Sequence, residues 1–388
     1  MAQDHTQDST QDSARISKED LESWGINPNE VKFFESDPFT CVKKFGADTS
    51  KNRSVCQVRN NKTQDLYVRK EYKCKSQDKK FVKSIWDEAK IIQKLEHHHV
   101  VKIFEIHYVK KEKIFGFLMQ TVANQNLGEF FEEMEKEKDM NKLGEHYKVM
   151  CQWPICLFHA LDYLHESKIR HKDIKPSNIL IKDKCIYLTD FGISKDFSEV
   201  ATSITDSLNP AGTERYKAPE NYIDEPRGRA TDVWALGCTV LEICTVASGN
   251  TVKELNRRLP SKRPPCFYIC AYDVLAWVFF LLQSLVGKDT QVDKYIRKTL
   301  QLTFLMLDPD HNKRVTMSKI LDLLRENSFA SIASLACNNC KGPTQEPDPD
   351  RKNTFKMTAD EDIYMSDITR TTEAPWEKIK QRWLESYS

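Results

Sequence analysis

The hydrophobic pattern changes character once along this chain, between Gln120 and Leu127, and that change limits the folds open to it. From Phe39 to Gln120 short β-prone runs dominate, among them SVCQVRN, DLYVRKEY and VVKIFEIHYV. One helical stretch, KSIWDEAKIIQKLEHH, interrupts them, and beyond Leu127 the pattern is mostly helical, as in YKVMCQWPICLFHALDYLHES. The order predicts an α+β fold with a small β-rich N-lobe over about 39–120, a larger α-helical C-lobe over about 121–328, and a ligand cleft between them.

Both ends of the chain are polar. Residues 1–30 carry seven acidic and two basic side chains, so we expect residues 1–38 to form an acidic, largely disordered tail. Residues 329–388 are expected to be mostly disordered as well, apart from a possible short helix over 375–386 that docks on the folded part or on a partner. The apolar stripe that predicts this helix consists of Trp376, Ile379, Trp383 and Leu384.

Charge and cysteine content exclude some classes of function. The formal net charge of the 388 residues is +1, which argues against nucleic acid or anionic lipid as the main ligand. Twelve cysteines are scattered through the chain, and the first fifteen residues have no apolar core, so a cytoplasmic or nuclear setting is predicted. The apolar stretch 267–286 is interrupted by Asp273 and Gln283, and it is interpreted as a buried helix rather than a membrane span.

The segment IRHKDIKPSNIL, residues 169–180, concentrates the polar side chains that chemistry needs. Asp173 and Lys175 alternate with Ile174 and can share one face of an extended loop, where an acceptor beside a cation suits deprotonation of a hydroxyl next to a phosphate. Asn178 precedes one predicted strand and Asp190 ends the next, so their oxygens can converge as ligands for Mg²⁺. A solvated charged loop is the alternative interpretation of the same residues.

The chain resembles the eukaryotic protein kinase domain over roughly residues 40–325, with six motifs in order at the family's spacing. The motifs are YVRK around Lys70, DEAKIIQKLEHHHVV around Glu88, HKDIKPSN, DFG at 190–192, APE at 218–220 with TDVWALGC after it, and DPDHNKR ending at Arg314. The resemblance implies an ATP- and Mg²⁺-dependent serine/threonine kinase that acts on protein Ser/Thr hydroxyls.

The resemblance also implies roles for individual residues. Asp173 is expected to be the catalytic base, helped by Lys175, Asn178 and Thr213, with Asn178 and Asp190 as the Mg²⁺ ligands. An ion pair to Glu88 is expected to hold Lys70 for the ATP phosphates, and Glu220 to pair with Arg314. The full set expected to bind ATP is Gly46, Val55, Val68, Lys70, Glu88, Met119, Gln120, Val122, Leu180 and Asp190.

The chain departs from the family pattern in two places, and the first of them supports an alternative, a pseudokinase that works as a scaffold or allosteric module. The glycine-rich loop of the family is reduced to one glycine, Gly46, in KKFGADTSKNRSVCQV, although glycines there let the backbone approach phosphates. Lys172 replaces the usual arginine between His171 and Asp173.

Elsewhere, Cys337 and Cys340 have metal-like spacing, but no second pair lies nearby in sequence, so we expect a coincidence of the tail.

Overall fold

The structure is a computed structural model, and it describes residues 15–45, 53–75, 78–120, 122–190, 214–221, 228–259 and 266–341. The chain divides into two compact units. Among the described residues, the first unit runs to Asn124, and the second comprises Gln125–Asp190 and the residues from Glu214 onward. The division falls four residues after the predicted one at 120.

The first unit is built on a six-stranded sheet with the order β1-β5-β6-β4-β3-β2, in which β1 runs parallel to β5 and the other neighbours are antiparallel. Its strands are β1 (Lys32–Phe34), β2 (Phe39–Phe45), β3 (Arg53–Asn60), β4 (Leu66–Lys73), β5 (Ile103–Val109) and β6 (Ile114–Met119). Its α-helices are α1 (Lys18–Ser23) and α2 (Lys79–Gln93). Every residue of β6 is buried, which explains why IFGFLM is a continuous apolar run rather than an alternating one.

The prediction that residues 1–38 are largely disordered is wrong for the part that the structure describes. Helix α1 begins with a capping box formed by Ser17 and Asp20. Ile16 and Leu21 are buried, and the Ile16 N–H donates to the Tyr108 hydroxyl at 3.1 Å. The acidic composition hid a few apolar residues that are spaced to pack against the sheet, so residues 16–24 belong to the first folded unit.

The second unit is mostly helical, as the sequence pattern predicted. Its helices are α3 (Leu127–Met134), α4 (Met140–Glu166), α5 (Ala230–Ala247), α6 (Val252–Arg258), α7 (Ala271–Ser284), α8 (Gln291–Met306), α9 (Met317–Arg325), α10 (Ala330–Ala333) and α11 (Asn338–Lys341). A three-stranded sheet contains β7 (Gln125–Asn126), β8 (Ile179–Lys182) and β9 (Cys185–Leu188) in that order. Single 3₁₀ turns lie at Pro176–Asn178 and Pro219–Asn221, and a third, in the first unit, at Pro28–Glu30.

Helix α5 lies at the core of the second unit. Its side chains are buried all around, and Thr239 and Thr245 satisfy their hydroxyls by donating to carbonyls four residues earlier. It is the one helix in the described part of the chain that is long and apolar enough to span a bilayer, but 89% of it is buried inside the protein. The predicted helix within 267–286 is present as the 14-residue α7, which is shorter than the roughly 20 residues of a membrane span.

Ordered structure also continues past the predicted end of the folded part at residue 328. Phe329, Ile332 and Ala336 are buried, and α10 and α11 follow α9 directly. The prediction of a mostly disordered tail is therefore wrong for residues 329–341. The predicted helix over 375–386 lies outside the described residues.

Candidate active site

One face of the first unit's sheet carries four of the ten residues predicted to bind ATP. Val55 pairs with Lys70 across β3 and β4, and Val68 pairs with Met119 across β4 and β6. Side chains of directly paired residues share a face, and so do residues two apart on one strand. Val55, Val68, Lys70 and Met119 therefore project from the same side of the sheet, as does Phe117, which is paired with Lys70.

The predicted ion pair between Lys70 and Glu88 is present in the first unit. The Lys70 Nζ lies 2.9 Å from the Glu88 Oε1, with the two side chains 4% and 0% exposed. The ammonium also lies 5.7 Å from the Phe117 ring centroid. Because a buried charge without a partner is strongly destabilising, helix α2 and strand β4 are held together at this pair.

The chain after β6 carries two more predicted ATP-binding residues. Gln120 is exposed, and its N–H donates to the Lys102 carbonyl at 3.3 Å. Val122 is half-buried and lies outside helices and strands. Gly46, in the shortened glycine-rich loop, lies outside the described residues.

The predicted catalytic loop of the second unit gathers two polar side chains around the carboxylate of Asp173. The Asp173 Oδ2 lies 2.9 Å from the Lys175 Nζ and accepts a hydrogen bond from the Asn178 Nδ2 at 3.0 Å. The same Nδ2 donates to the Asp173 carbonyl at 2.8 Å. Asp173 and Lys175 keep 12% and 17% of their side chains exposed, so this is a partly accessible acceptor beside a cation rather than a solvated charged loop.

Asp232, in the first turn of α5, shapes the backbone of this loop. It is buried, and its two oxygens accept the N–H groups of His171 at 2.9 Å and Lys172 at 2.8 Å. Lys172 has a φ of 67°, a left-handed conformation that costs a non-glycine residue about 1–2 kcal/mol. Hydrogen bonds to a carboxylate are among the stronger ones, so Asp232 offsets this strain and holds the segment that carries Asp173.

His171 is buried near three carboxylates, but it carries no charge itself. It is completely buried, and burial lowers its pKa despite the opposing attraction of the carboxylates of Asp232, Asp173 and Asp190. The imidazole is therefore neutral at physiological pH, and it contributes no charge to the site.

The predicted metal ligands lie at one end of the β8–β9 hairpin. Asn178 immediately precedes β8, Asp190 follows β9 by two residues, and the Thr189 N–H donates to the Asn178 carbonyl at 3.1 Å. Since Asn178 turns its amide nitrogen toward Asp173, its amide oxygen and the Asp190 carboxylate supply hard oxygen donors of the kind that Mg²⁺ prefers. Leu180, predicted to contact the adenine, lies in β8 and pairs with Tyr187 and Asn126.

The predicted ion pair between Glu220 and Arg314 is present in the second unit, and both side chains are buried. The guanidinium donates to both carboxylate oxygens, at 2.6 and 3.0 Å, and to the carbonyls of Asp308 and Ala230, both at 2.8 Å. This fork needs the planar geometry of arginine. Thr213, seven residues before Glu220, lies outside the described residues.

Sequence reasoning gave no role to two acidic residues of α5 that organise this region, Asp232 and Glu242. Glu242 accepts hydrogen bonds from Arg215 at 2.8 Å and from the Tyr216 hydroxyl at 2.9 Å, and Arg215 stacks 4.2 Å from the Phe267 ring centroid. The available signal was two carboxylates in an otherwise apolar helix, ATDVWALGCTVLEICTVA. Such residues are buried only when they are paired.

The comparison with protein families gives one domain match. The profile of the protein kinase domain matches residues 51–323, which is more than half of the chain and includes every predicted site residue except Gly46.

Individual relatives are kinases from plants and animals. The chain is 33% identical over 191 residues to the serine/threonine-protein kinase Nek3 of Oryza sativa subsp. japonica, covering 49% of this chain and 31% of that one. It is 29% identical over 175 residues to the mitogen-activated protein kinase kinase kinase 2 of Arabidopsis thaliana, covering 44% and 25%. With the human serine/threonine-protein kinase Nek10 it shares 33% over 207 residues, covering 50% and 17%. The matched part thus spans well under half the length of each of these relatives.

Proposed function

This chain belongs to the protein kinase domain family, and on that premise we propose that it transfers the γ-phosphate of ATP to serine and threonine hydroxyls of proteins. The serine/threonine preference is supported by the printed names of the relatives. Lys175, two residues after Asp173, also fits it, since this lysine is typical of serine/threonine kinases.

The observation that carries the proposal is the Asp173 carboxylate with Lys175 at 2.9 Å. A positioned carboxylate accepts the proton of the attacking hydroxyl, and an adjacent ammonium stabilises negative charge on the phosphoryl group. In this structure the two groups pair with each other. Binding of the γ-phosphate therefore draws Lys175 away from Asp173 and leaves the carboxylate to take up the substrate proton.

The remaining roles follow the same chemistry. Lys70 contacts the α- and β-phosphates, with Glu88 compensating its charge and setting its position. Asn178 and Asp190 would hold Mg²⁺, which would neutralise the charge of the phosphates. Val55, Val68, Met119 and Leu180 cover the adenine, while the backbones of Gln120 and Val122 bond its edge. The roles proposed for Gly46 and Thr213 are contact with the phosphates and assistance to Asp173.

The test is phosphate transfer from γ-labelled ATP with Mg²⁺ to a generic basic protein, comparing the wild type with Asp173→Asn and Lys70→Met. Loss of a general base typically costs 10²–10⁴-fold, so we expect Asp173→Asn to reduce transfer by about that factor without a change in ATP affinity. Lys70→Met is expected to weaken both ATP binding and transfer.

Matched controls separate these effects from general damage. Asp183→Asn changes an exposed carboxylate in the turn between β8 and β9, and Lys73→Met changes an exposed lysine at the end of β4. Both are expected to keep wild-type transfer. Transfer by Asp173→Asn at the wild-type rate would contradict the proposed role of Asp173.

The alternative proposal is a pseudokinase that acts as a scaffold or allosteric module. It is favoured by the single glycine, Gly46, where the family has three, and by Asp48 at the position of a second glycine, where a carboxylate would repel phosphate. Under this alternative, wild-type chain binds nucleotide in a fluorescence titration but transfers no phosphate to any acceptor or to itself.

The setting and partners proposed here rest on the sequence. Protein substrates with Ser/Thr acceptors are the proposed partners, nucleic acid and membranes are not, and the proposed compartment is the cytoplasm or nucleus. The proposed helix over 375–386 is a docking segment for the kinase body or a partner. Deletion of residues 372–388 should therefore change activity or the set of co-purifying proteins, and a deletion that changed neither would exclude this role.

A further inference from the structure

Three cysteine side chains that the kinase chemistry does not use converge in the second unit. They are Cys156 in the middle of α4, Cys337 immediately before α11, and Cys340 within α11. The three sulfur atoms all lie within 4.8 Å of one another, close enough to bind one metal ion. No disulfide joins any of the three.

The fold brings these sulfurs together by ordinary helical geometry. The Cys340 N–H donates to the Cys337 carbonyl at 2.9 Å, and residues three apart on a helical turn share a face. The segment before them is anchored by Phe329 and Ile332, which are 3% and 0% exposed. Helix α10 packs against α4, and this contact places Cys337 and Cys340 close to Cys156.

Only one of the three cysteines is buried as an ordinary core residue would be. Cys156 is 2% exposed and lies in the core, but Cys337 and Cys340 are only half-buried. The three come from two elements that are far apart in sequence. Core packing explains one buried thiol, whereas it does not explain two half-exposed thiols aimed at a third.

The spacing suits a tetrahedral soft-metal site. Zinc–thiolate bonds of about 2.3 Å place the sulfurs of a tetrahedral site about 3.8 Å apart. Sulfurs that already lie within 4.8 Å need to close by only about 1 Å to reach that arrangement. The Cys-x-x-Cys spacing of the pair is also the spacing of structural zinc sites.

We propose that Cys156, Cys337 and Cys340 bind a structural zinc ion as thiolates, which ties the segment after α9 to helix α4. Binding deprotonates the three thiols and releases three protons. A nitrogen or oxygen donor completes the four ligands that zinc takes. The ion stabilises the unit's C-terminal edge and takes no part in phosphate transfer, so the proposal is independent of the proposed function.

The test is the zinc content of the full chain, expressed with zinc and purified without chelator, measured by inductively coupled plasma mass spectrometry. We expect about one zinc per chain for the wild type and at least a tenfold lower content for Cys337→Ser and Cys340→Ser. Both residues are half-buried, so these variants should keep the wild-type far-ultraviolet circular dichroism. Cys41→Ser, which is exposed, and Cys270→Ser, which is buried in the same unit, are the matched controls and should retain zinc.

A second readout identifies the ligands. Co²⁺ in place of zinc should give a thiolate-to-metal charge-transfer band with the intensity of three thiolates, and the band should weaken in each of Cys156→Ala, Cys337→Ser and Cys340→Ser. A folded wild type without zinc, an equal loss of zinc in the controls, or a Cys337–Cys340 disulfide in the non-reduced protein would each overturn the proposal.

Discussion

Several ionisable side chains of this protein are buried, and they are tolerated for two different reasons. Lys70 and Arg314 have carboxylate partners at 2.9 and 2.6 Å, so their charges are compensated. His107 is fully buried in β5, and neither of its ring nitrogens has a hydrogen-bond partner among the described residues. It is tolerated because it is neutral, since burial and the nearby charges of Arg69 and Lys32 lower its pKa to about 3.

His107 should therefore make the first unit sensitive to acid. As the pH falls below 6.5, His107 in the unfolded chain takes up a proton, while in the folded chain it remains neutral until about pH 3. Protonation thus favours unfolding over that interval, and at pH 5 the cost is about 2 kcal/mol. Urea unfolding at pH 7.5 and pH 5.0 should show this loss in the wild type, and a smaller loss in His107→Leu. Equal losses in both would show that His107 is not the responsible group.

Arg314 should be sensitive even to replacement by lysine. Arg314→Lys keeps the charge but loses the second bond to Glu220 and at least one bond to a backbone carbonyl. Because hydrogen bonds to charged groups contribute about 1.5–3 kcal/mol each, we expect the free energy of unfolding to fall by about 3–6 kcal/mol. Arg325→Lys is the control, since its pair with Asp322 is 64% and 42% exposed and should be worth less than about 1 kcal/mol. Similar melting temperatures for the two variants would contradict this account.

At the scale of single elements, close approach between strands positions the residues of the candidate site. Strand β6 pairs directly with β4, and in this ladder Gly116 lies opposite Glu71 and Phe117 opposite Lys70. A Cβ at Gly116 would lie 2.7 Å from the Lys70 carbonyl oxygen, a distance that backbone atoms do not tolerate. Glycine at this position lets β4 lie where Lys70 meets Glu88.

Gly116→Ala should therefore affect both stability and nucleotide binding. The added methyl forces β4 and β6 apart, at a cost of about 1–3 kcal/mol for overpacking, and displaces Lys70. We expect a lower melting temperature and a higher KM for ATP. Gly144→Ala is the control, because nothing lies within 4 Å of its Cβ position and alanine favours the α4 helix by about 1 kcal/mol. An unchanged KM in Gly116→Ala would argue that β4 does not set the position of Lys70.

At the scale of the whole molecule, the folded part is longer than its polar ends suggest. Ile16 and Leu21 extend the first unit toward the N-terminus, and Phe329, Ile332 and Ala336 extend the second beyond α9. In both places a few apolar residues are embedded in polar sequence. Their spacing matters more than the average composition, because burial depends on where the side chains point.

Truncation tests how much residues 329–341 contribute to the stability of the second unit. A chain that ends at residue 328 loses the burial of Phe329 and Ile332, each worth about 1.5–3 kcal/mol, whereas a chain that ends at 341 keeps it. We expect the shorter chain to melt at least about 5 °C lower. Both melts are recorded with a chelator present, so that metal binding does not contribute to the difference. Coincident melting curves would show that residues 329–341 add no stability to the second unit.

Much of this protein could be predicted from local sequence. The switch from period-two to helical hydrophobic patterns determined the fold class, because those periods dictate which side chains share a face. The kinase-like motifs placed Lys70 with Glu88 and Glu220 with Arg314, and both pairs are present. The carboxylate–lysine pair of the loop was also predictable, since Asp173 and Lys175 are two residues apart in an extended segment.

Only the tertiary structure decided the contacts between distant residues that no motif links. Asp232 meets His171 and Lys172 across some sixty positions of sequence, and Cys156 meets Cys337 and Cys340 across a still longer separation. The sequence made Cys337 and Cys340 look like a coincidence of the tail, because their third partner lies in a helix that the sequence marks only as apolar. Packing of whole elements brings such residues together, and periodicity along one element carries no information about which face of another element it will meet.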